Sequence, residues 1–242
     1  MVRVEWRDRV LVITIDRPER RNAVDHATLL ALSEAQRAAA EGGARVVLLT
    51  GAPPAFSAGA DLTGVENGAF VAALVAALRG FTELGAITLA AVDGPALGAG
   101  TQLAIACDLR IATPTSVFGI PAAKLGLAVD RWTIERVARE FGWSIARAML
   151  LGAVTYRGEQ LHVTGGVHRL GELADALVWA DELAELAPLT IAAHKLGLER
   201  AALDAGLDPV FEQAREAAWA SADAEEGRTA FLDKRRPRFQ GR

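Results

Sequence analysis

The sequence predicts an α/β fold, and three observations carry that expectation. Val46-Val47-Leu48-Leu49 and the run from Ile87 to Val92 are short, continuous and apolar, as strands buried on both faces are. Such runs alternate with loops and helical patterns, which is the order of a layered α/β core. From Trp132 onward the pattern is nearly all helical, so helices cap that core or pack between subunits.

The elements follow in order. Val2 to Trp6 and Val10 to Ile15 read as two strands joined at Arg7-Asp8-Arg9. Arg17 to Asn22 is a polar loop. Asp25 is placed to cap a helix over Ala27 to Ala40, and Gly42-Gly43 ends it. The strand within Arg45 to Thr50 precedes a turn-rich loop, Gly51 to Asp61, and a helix over 70–78. The strand Ile87 to Val92 runs into the loop Gly94 to Gly100, then a buried helix over Thr101 to Cys107. Short strands are expected at 109–112 and 117–119. Helices are expected near 133–141, 144–151, 171–187, 189–204 and 208–233, with Thr155 to His168 as the main interruption. The division that results is a core, 1–187, and a helical C-terminal region, 188–242.

Composition narrows the function. The 242 residues are enough for a sizeable core, and 51% hydrophobic with 23% charged residues is ordinary for a soluble globular protein. The net charge is −4, and the one basic block is Lys234-Arg235-Arg236, so neither nucleic acid nor membrane is an expected partner. No apolar run reaches the roughly 20 residues of a membrane helix. The single cysteine, Cys107, excludes an internal disulfide and fits a reducing cytoplasm. The strand pattern begins at the N-terminus, so no signal peptide is expected.

Two loops share one design: Ser57-Ala58-Gly59-Ala60-Asp61-Leu62, and Ala96-Leu97-Gly98-Ala99-Gly100. Each follows a buried strand and leads towards a helix. Small residues admit a ligand close to the backbone, and a helix N-terminus offers unpaired amides. Facing each other, the loops could aim two N–H groups at one oxygen, as an oxyanion hole does for a thioester enolate. Taken singly, each also reads as a plain tight turn. Gly94, Gly98 and Gly100 do not make G-x-G-x-x-G. There is no phosphate-binding Walker loop and no G-x-S-x-G elbow. His26, His162, His168 and His194 have neither metal-ligand nor triad spacing.

Five segments in order carry a resemblance: Arg17-Pro18 through Asn22-Ala23, Phe56 to Leu62, Asp93 to Gly100, Leu125-Gly126-Leu127, and Phe231 to Arg235. Over nearly its whole length the chain resembles the crotonase, or enoyl-CoA hydratase/isomerase, family. The resemblance implies a core of ββα turns wound into a superhelix. It implies a helical C-terminus that forms a homotrimer or a dimer of trimers, and no cofactor beyond the CoA of the ligand. It implies that the amides of Ala60 and Ala99 form the oxyanion hole, with Ala99 where the family usually has glycine. It places Arg21 near the CoA phosphates and the backbone of Ala58 and Ala60 at the adenine. Asp61 and Leu62 are expected along the same loop's binding face. Phe231 and Lys234 are expected to reach a neighbouring subunit's CoA, although Lys234 reads equally as a solvated helix end.

The chain also departs from the family. Hydratases of this family use two glutamates to activate and deliver one water; those positions read Gln102 and Ala122 here. General acid–base catalysis contributes about 10²–10⁴-fold, so little hydratase activity is expected. Asp130 falls where some family isomerases carry their catalytic carboxylate, and it is equally placed to cap the next helix. Arg131-Trp132 replace small residues, so Trp132 is expected to narrow the acyl pocket or pack the helix start. Arg131 is a candidate partner for Asp130. Within the family the resemblance is to a mycobacterial hydratase-like branch that shares the missing glutamates, the Asp-x-Trp segment and a basic C-terminus. That branch implies binding of fatty acyl-CoA without turnover, beside lipid-synthesis enzymes. The alternative is an isomerase that shifts an enoyl-CoA double bond with Asp130 as base.

Overall fold

The computed structural model describes residues 1–61, 68–201 and 209–242. In chain order its strands are β1 (Val2–Arg7), β2 (Val10–Ile15), β3 (Val46–Gly51), β4 (Ile87–Val92), β5 (Pro95–Leu97), β6 (Leu109–Ala112), β7 (Val117–Gly119), β8 (Tyr156–Arg157) and β9 (Arg169–Leu170). Its helices are α1 (His26–Glu41), α2 (Gly68–Glu83), α3 (Ala99–Ala106), α4 (Arg131–Phe141), α5 (Trp143–Leu151), α6 (Gly158–Val163), α7 (Leu173–Ala184), α8 (Pro188–Arg200), α9 (Pro209–Trp219) and α10 (Ala222–Leu232).

The larger sheet runs β1-β2-β3-β4-β6-β9, with β1 antiparallel to β2 and the remaining pairs parallel. Its central strands β2, β3 and β4 are buried on both faces, as their apolar runs predict, while the edge strands β1 and β9 are exposed. The period of two divides each strand. Leu11, Ile13, Val47, Leu49 and Ala90 face the core shared with α1, α2 and α3. Val10, Val12, Val46, Leu48 and Leu89 face α7, where Ala176, Trp179 and Ala180 cover them. The smaller sheet, β5-β7-β8, stands at the end where β4 delivers the chain into α3.

Helix starts follow their caps. The Asp25 carboxylate accepts from the Thr28 amide at 2.8 Å, and Leu29, Leu32, Ala35, Gln36 and Ala39 form the buried face of α1. Burial pushes the Asp25 carboxyl up, but hydrogen bonds from Thr28 and the charge of Arg17 outweigh it and hold it below the usual value.

The structure corrects some boundaries. Residues 208–233 are two helices, because the Ser221 hydroxyl accepts from the Ala224 amide at 3.1 Å and starts α10 afresh. The loop Gly94 to Gly100 contains β5, and α3 begins at Ala99. The interruption Thr155 to His168 holds β8 and α6. The C-terminal region is stitched to the sheet. Lys195 of α8 is 6% exposed and donates to Phe81 O (2.8 Å), Ala86 O (3.0 Å) and Asp108 Oδ2 (2.8 Å). Among the described residues no helix is long and apolar enough to cross a membrane.

Candidate functional site

The first loop is held from below by a buried asparagine. Asn22 is fully buried, and its Nδ2 donates to Ala52 O and Ala55 O, both at 2.6 Å. Its carbonyl accepts from the Ser57 hydroxyl at 2.8 Å. The Arg21 carbonyl accepts from the Ala58 amide (2.9 Å), and Val24 exchanges bonds with Gly59 O and the Asp61 amide, both 2.8 Å. Arg17 closes the base through Asp25 (3.0 Å) and Asp61 (3.3 Å). The loop is thus tied through its backbone and Ser57 to residues 30 or more positions away.

The second loop is clamped to the first. Ser57 N–H donates to Pro95 O (3.0 Å) and Leu97 N–H to Ser57 O (2.9 Å). The Thr101 hydroxyl, fully buried, donates to Ala96 O at 2.6 Å and accepts from the Gly119 amide at 3.0 Å. Two glycines permit this approach. Gly59 has φ +111°, and a Cβ there would lie 2.8 Å from Leu97 O and 3.7 Å from the Ala99 nitrogen. A Cβ on Gly100 would lie 2.3 Å from Ser57 O.

The result is two amides at one cavity mouth. The nitrogens of Ala60 and Ala99 have no acceptor among the described residues. Both residues line a cavity of about 270 Å³, and Ala99 is the first residue of α3, where the helix dipole adds partial positive charge. The walls are the apolar face of α2 (Phe70, Leu74, Leu78) and the segment from Ile120 to Asp130. This arrangement can stabilise a negative oxygen held between the loops, with an apolar chain beyond it.

Among the described residues two polar side chains line that cavity, Gln102 and Asp130. Gln102 is 7% exposed, and its Nε2 donates to Thr133 Oγ1 at 2.7 Å. The Thr133 amide donates to Asp130 Oδ1 at 3.0 Å, so Asp130 is the N-cap of α4. Thr133 therefore joins the two. Ala122 brings only a methyl to the wall. Arg131 does not pair with Asp130; it reaches Glu135, one turn on, at 2.6 Å. Trp132 packs against the core and lines a second cavity, of about 690 Å³, between α4, α8 and α9, rather than the one holding Ala60 and Ala99. The cap points one way from the helix start and the indole the other.

The remaining candidates are scattered. Arg21 is exposed, with φ +50°, and touches the site through its backbone bond to Ala58. That bond occupies the Ala58 amide, so Ala58 has only its carbonyl to offer a ligand. Lys234 stands exposed in a left-handed turn after α10. Leu62 and the Phe231 side chain lie outside the described residues. The buried Cys107 is no nucleophile: burial, then the charge of Asp108, pushes its thiol up to about 12. Among the described residues no His, Cys, Asp and Glu group could hold a metal.

The profile of the family described as Enoyl-CoA hydratase/isomerase matches residues 5–242. The chain belongs to that family. A Mycobacterium tuberculosis protein described as a probable enoyl-CoA hydratase, echA6, is 40% identical over 242 residues, covering all of both chains. The resemblance to a mycobacterial branch is thereby borne out. Among solved structures, EchA1 from Mycobacterium marinum, an enoyl-CoA hydratase, superposes with TM-score 0.85 at 36% identity, over 100% of this chain and 99% of that one. A family protein from Hyphomonas neptunium superposes with TM-score 0.91 at 27% identity, over 100% and 98%. The α/β fold of this enoyl-CoA hydratase/isomerase family member is thus the crotonase fold.

Proposed function

We propose that this chain binds fatty acyl-CoA thioesters through the Ala60 and Ala99 amides and does not hydrate enoyl-CoA efficiently. The observation that carries the reading is the pair of amides at the mouth of an apolar cavity, without an acceptor among the described residues. A thioester oxygen between them gains two hydrogen bonds, and the acyl chain leaves water for the α2 face. Gln102 and Ala122 support the second half. A glutamine holds a water without taking its proton, and an alanine does neither. In this reading CoA belongs to the ligand and no other cofactor takes part. Arg21, Asp61 and the backbone of Ala58 stand along the nucleotide side. The assembly is a homotrimer or dimer of trimers in the cytoplasm, with Lys234 and Phe231 offered to a neighbour's CoA and a lipid-synthesis enzyme as partner.

One observation favours a second reading. Asp130 lines the same cavity and uses one oxygen for the α4 cap, which leaves the other for a proton. Asp130 then shifts an enoyl-CoA double bond as base. The deciding experiment supplies 2-enoyl- and 3-enoyl-CoA of several lengths, with a saturated acyl-CoA titration in parallel. Binding without turnover is the expected result. A double-bond shift that disappears in Asp130→Asn would establish the isomerase instead.

A further inference from the structure

The two edges of the larger sheet are finished differently. At one, β9 is two residues long and offers little to pair with. At the other, β1 is six residues long, contains no proline, keeps an unbroken register with β2 and is exposed from Arg3 to Arg7. Met1 and Asp16 exchange both backbone bonds, at 2.6 and 2.7 Å. In an antiparallel pair such an exchange recurs at every second residue, so Arg3, Glu5 and Arg7 turn their backbone groups towards β2. Val2, Val4 and Trp6 turn theirs outward, and no partner among the described residues takes them. Unpaired backbone groups along a strand of this length are a template for another strand. The side chains divide in the same way. Val2, Val4 and Trp6 share the face on which Ile15, Ile13 and Leu11 reach the core. Val4 is nevertheless 46% and Trp6 43% exposed, because no strand lies beyond them. Arg3, Glu5 and Arg7 share the other face. Arg3 reaches Asp16 at 2.9 Å, and Glu5 has no ion-pair partner among the described residues.

We propose that β1 is a docking edge for the β1 of a second copy of this chain, antiparallel and centred on Val4. Outward backbone groups must meet outward backbone groups, which leaves three registers of useful length, centred on Arg3, Val4 or Glu5. Centring on Arg3 sets that residue against its own copy. Centring on Glu5 does the same for Glu5 and also sets Arg3 against Arg7. Like charges directly opposite are destabilising. Centring on Val4 sets Arg3 against Glu5 of the partner subunit, once from each copy, at the pairs where opposed side chains come closest. On the other face it lays Trp6 beside Val2 of the partner subunit and covers both copies of Val4. The alternating charges of β1 thus do not guard the edge against its own copy; they match it. The two larger sheets join into one across a two-fold axis. This surface lies apart from the Ala60 and Ala99 amides and from the C-terminal helices, so the inference does not rest on the acyl-CoA reading.

The test is sedimentation equilibrium of the full chain over about 1–100 µM, the range suited to a small interface made by one strand pair. Val4→Pro removes the outward N–H at the centre of the edge and takes no bond from β2, since proline is tolerated on a free edge. The unaltered chain is expected to approach twice the mass of Val4→Pro at the upper concentration. That ratio holds whatever assembly the C-terminal helices make, so a failure of the trimer reading and a failure of this one are told apart. Arg3→Glu and Glu5→Arg, each alone, are expected to sediment as Val4→Pro does. Their equimolar mixture is expected to regain the doubled mass, because one strand then carries two acids where the other carries two bases. The charge variants also keep the test open if Val4→Pro fails to fold. Equal masses for the unaltered chain and for all three variants would overturn the proposal. So would a doubled mass that survives the single charge reversals, or a mixture that stays at the lower mass, since either would take the contact away from the register centred on Val4.

Discussion

Gly59 holds the site open at the scale of a single residue. Its φ of +111° and the 2.8 Å from its missing Cβ to Leu97 O leave no room for a side chain. Gly59→Ala must either flip the first loop or push Leu97 and Ala99 away. We expect a stability loss of about 1–3 kcal/mol. We also expect acyl-CoA affinity to fall at least tenfold, because the two amides lose their common target. Melting and titration of one variant check both, and retention of full affinity would refute the paired-amide site. The motif containing Gly59 is legible in the sequence because small residues in a strand–loop–helix setting have few other uses. Its supports are not. Asn22, Arg17 and Thr101 act on groups up to 44 residues distant, and no local pattern announces a bond across such a gap.

At the scale of elements, α4 shows why Asp130 reads two ways. Its Oδ1 caps the helix, yet the same residue lines the acyl cavity. The two roles separate by substitution. Asparagine caps as well as aspartate, while alanine does not. Asp130→Asn is expected to unfold within a few tenths of a kcal/mol of the unaltered protein, and Asp130→Ala to lose about 1 kcal/mol. Denaturant unfolding checks this. Equal stability of all three would remove the cap from the account, and Asp130→Asn is thereby a clean probe of proton transfer. Two kinds of element are legible: α1 and α7 have enough periodic residues to declare themselves, and β3 and β4 are unbroken apolar runs. The two-residue strands β8 and β9 are not, since a pair of residues has no period, and Ser221 breaks the last helix inside an otherwise continuous pattern.

For the whole molecule, the sheet's far edge links stability to acid. β9 joins β6 by only two residue pairs, and His168 reinforces the join: its amide donates to Arg110 O (2.9 Å), and its Nδ1 accepts from the Arg110 amide (3.1 Å). Burial of the ring, then the Arg110 charge, pushes its pKa from 6.5 down to about 4. The folded state thus binds this proton less readily than the unfolded chain does. The stabilisation is complete above about pH 6.5 and is lost as pH falls towards about 4. Glu226, held at about 2 by hydrogen bonds from Arg235 and Arg238, gives up its share only below its ordinary 4.5. Between those ranges, from 6.5 to 4.5, His168 is the shifted group that responds among the described residues. His168→Asn offers the same acceptor to Arg110 without titrating. Melting temperature is therefore expected to fall through this window in the unaltered protein and to fall less steeply in His168→Asn. Parallel slopes would show that the acid response arises elsewhere and that the ring is a passive filler of the β6–β9 edge.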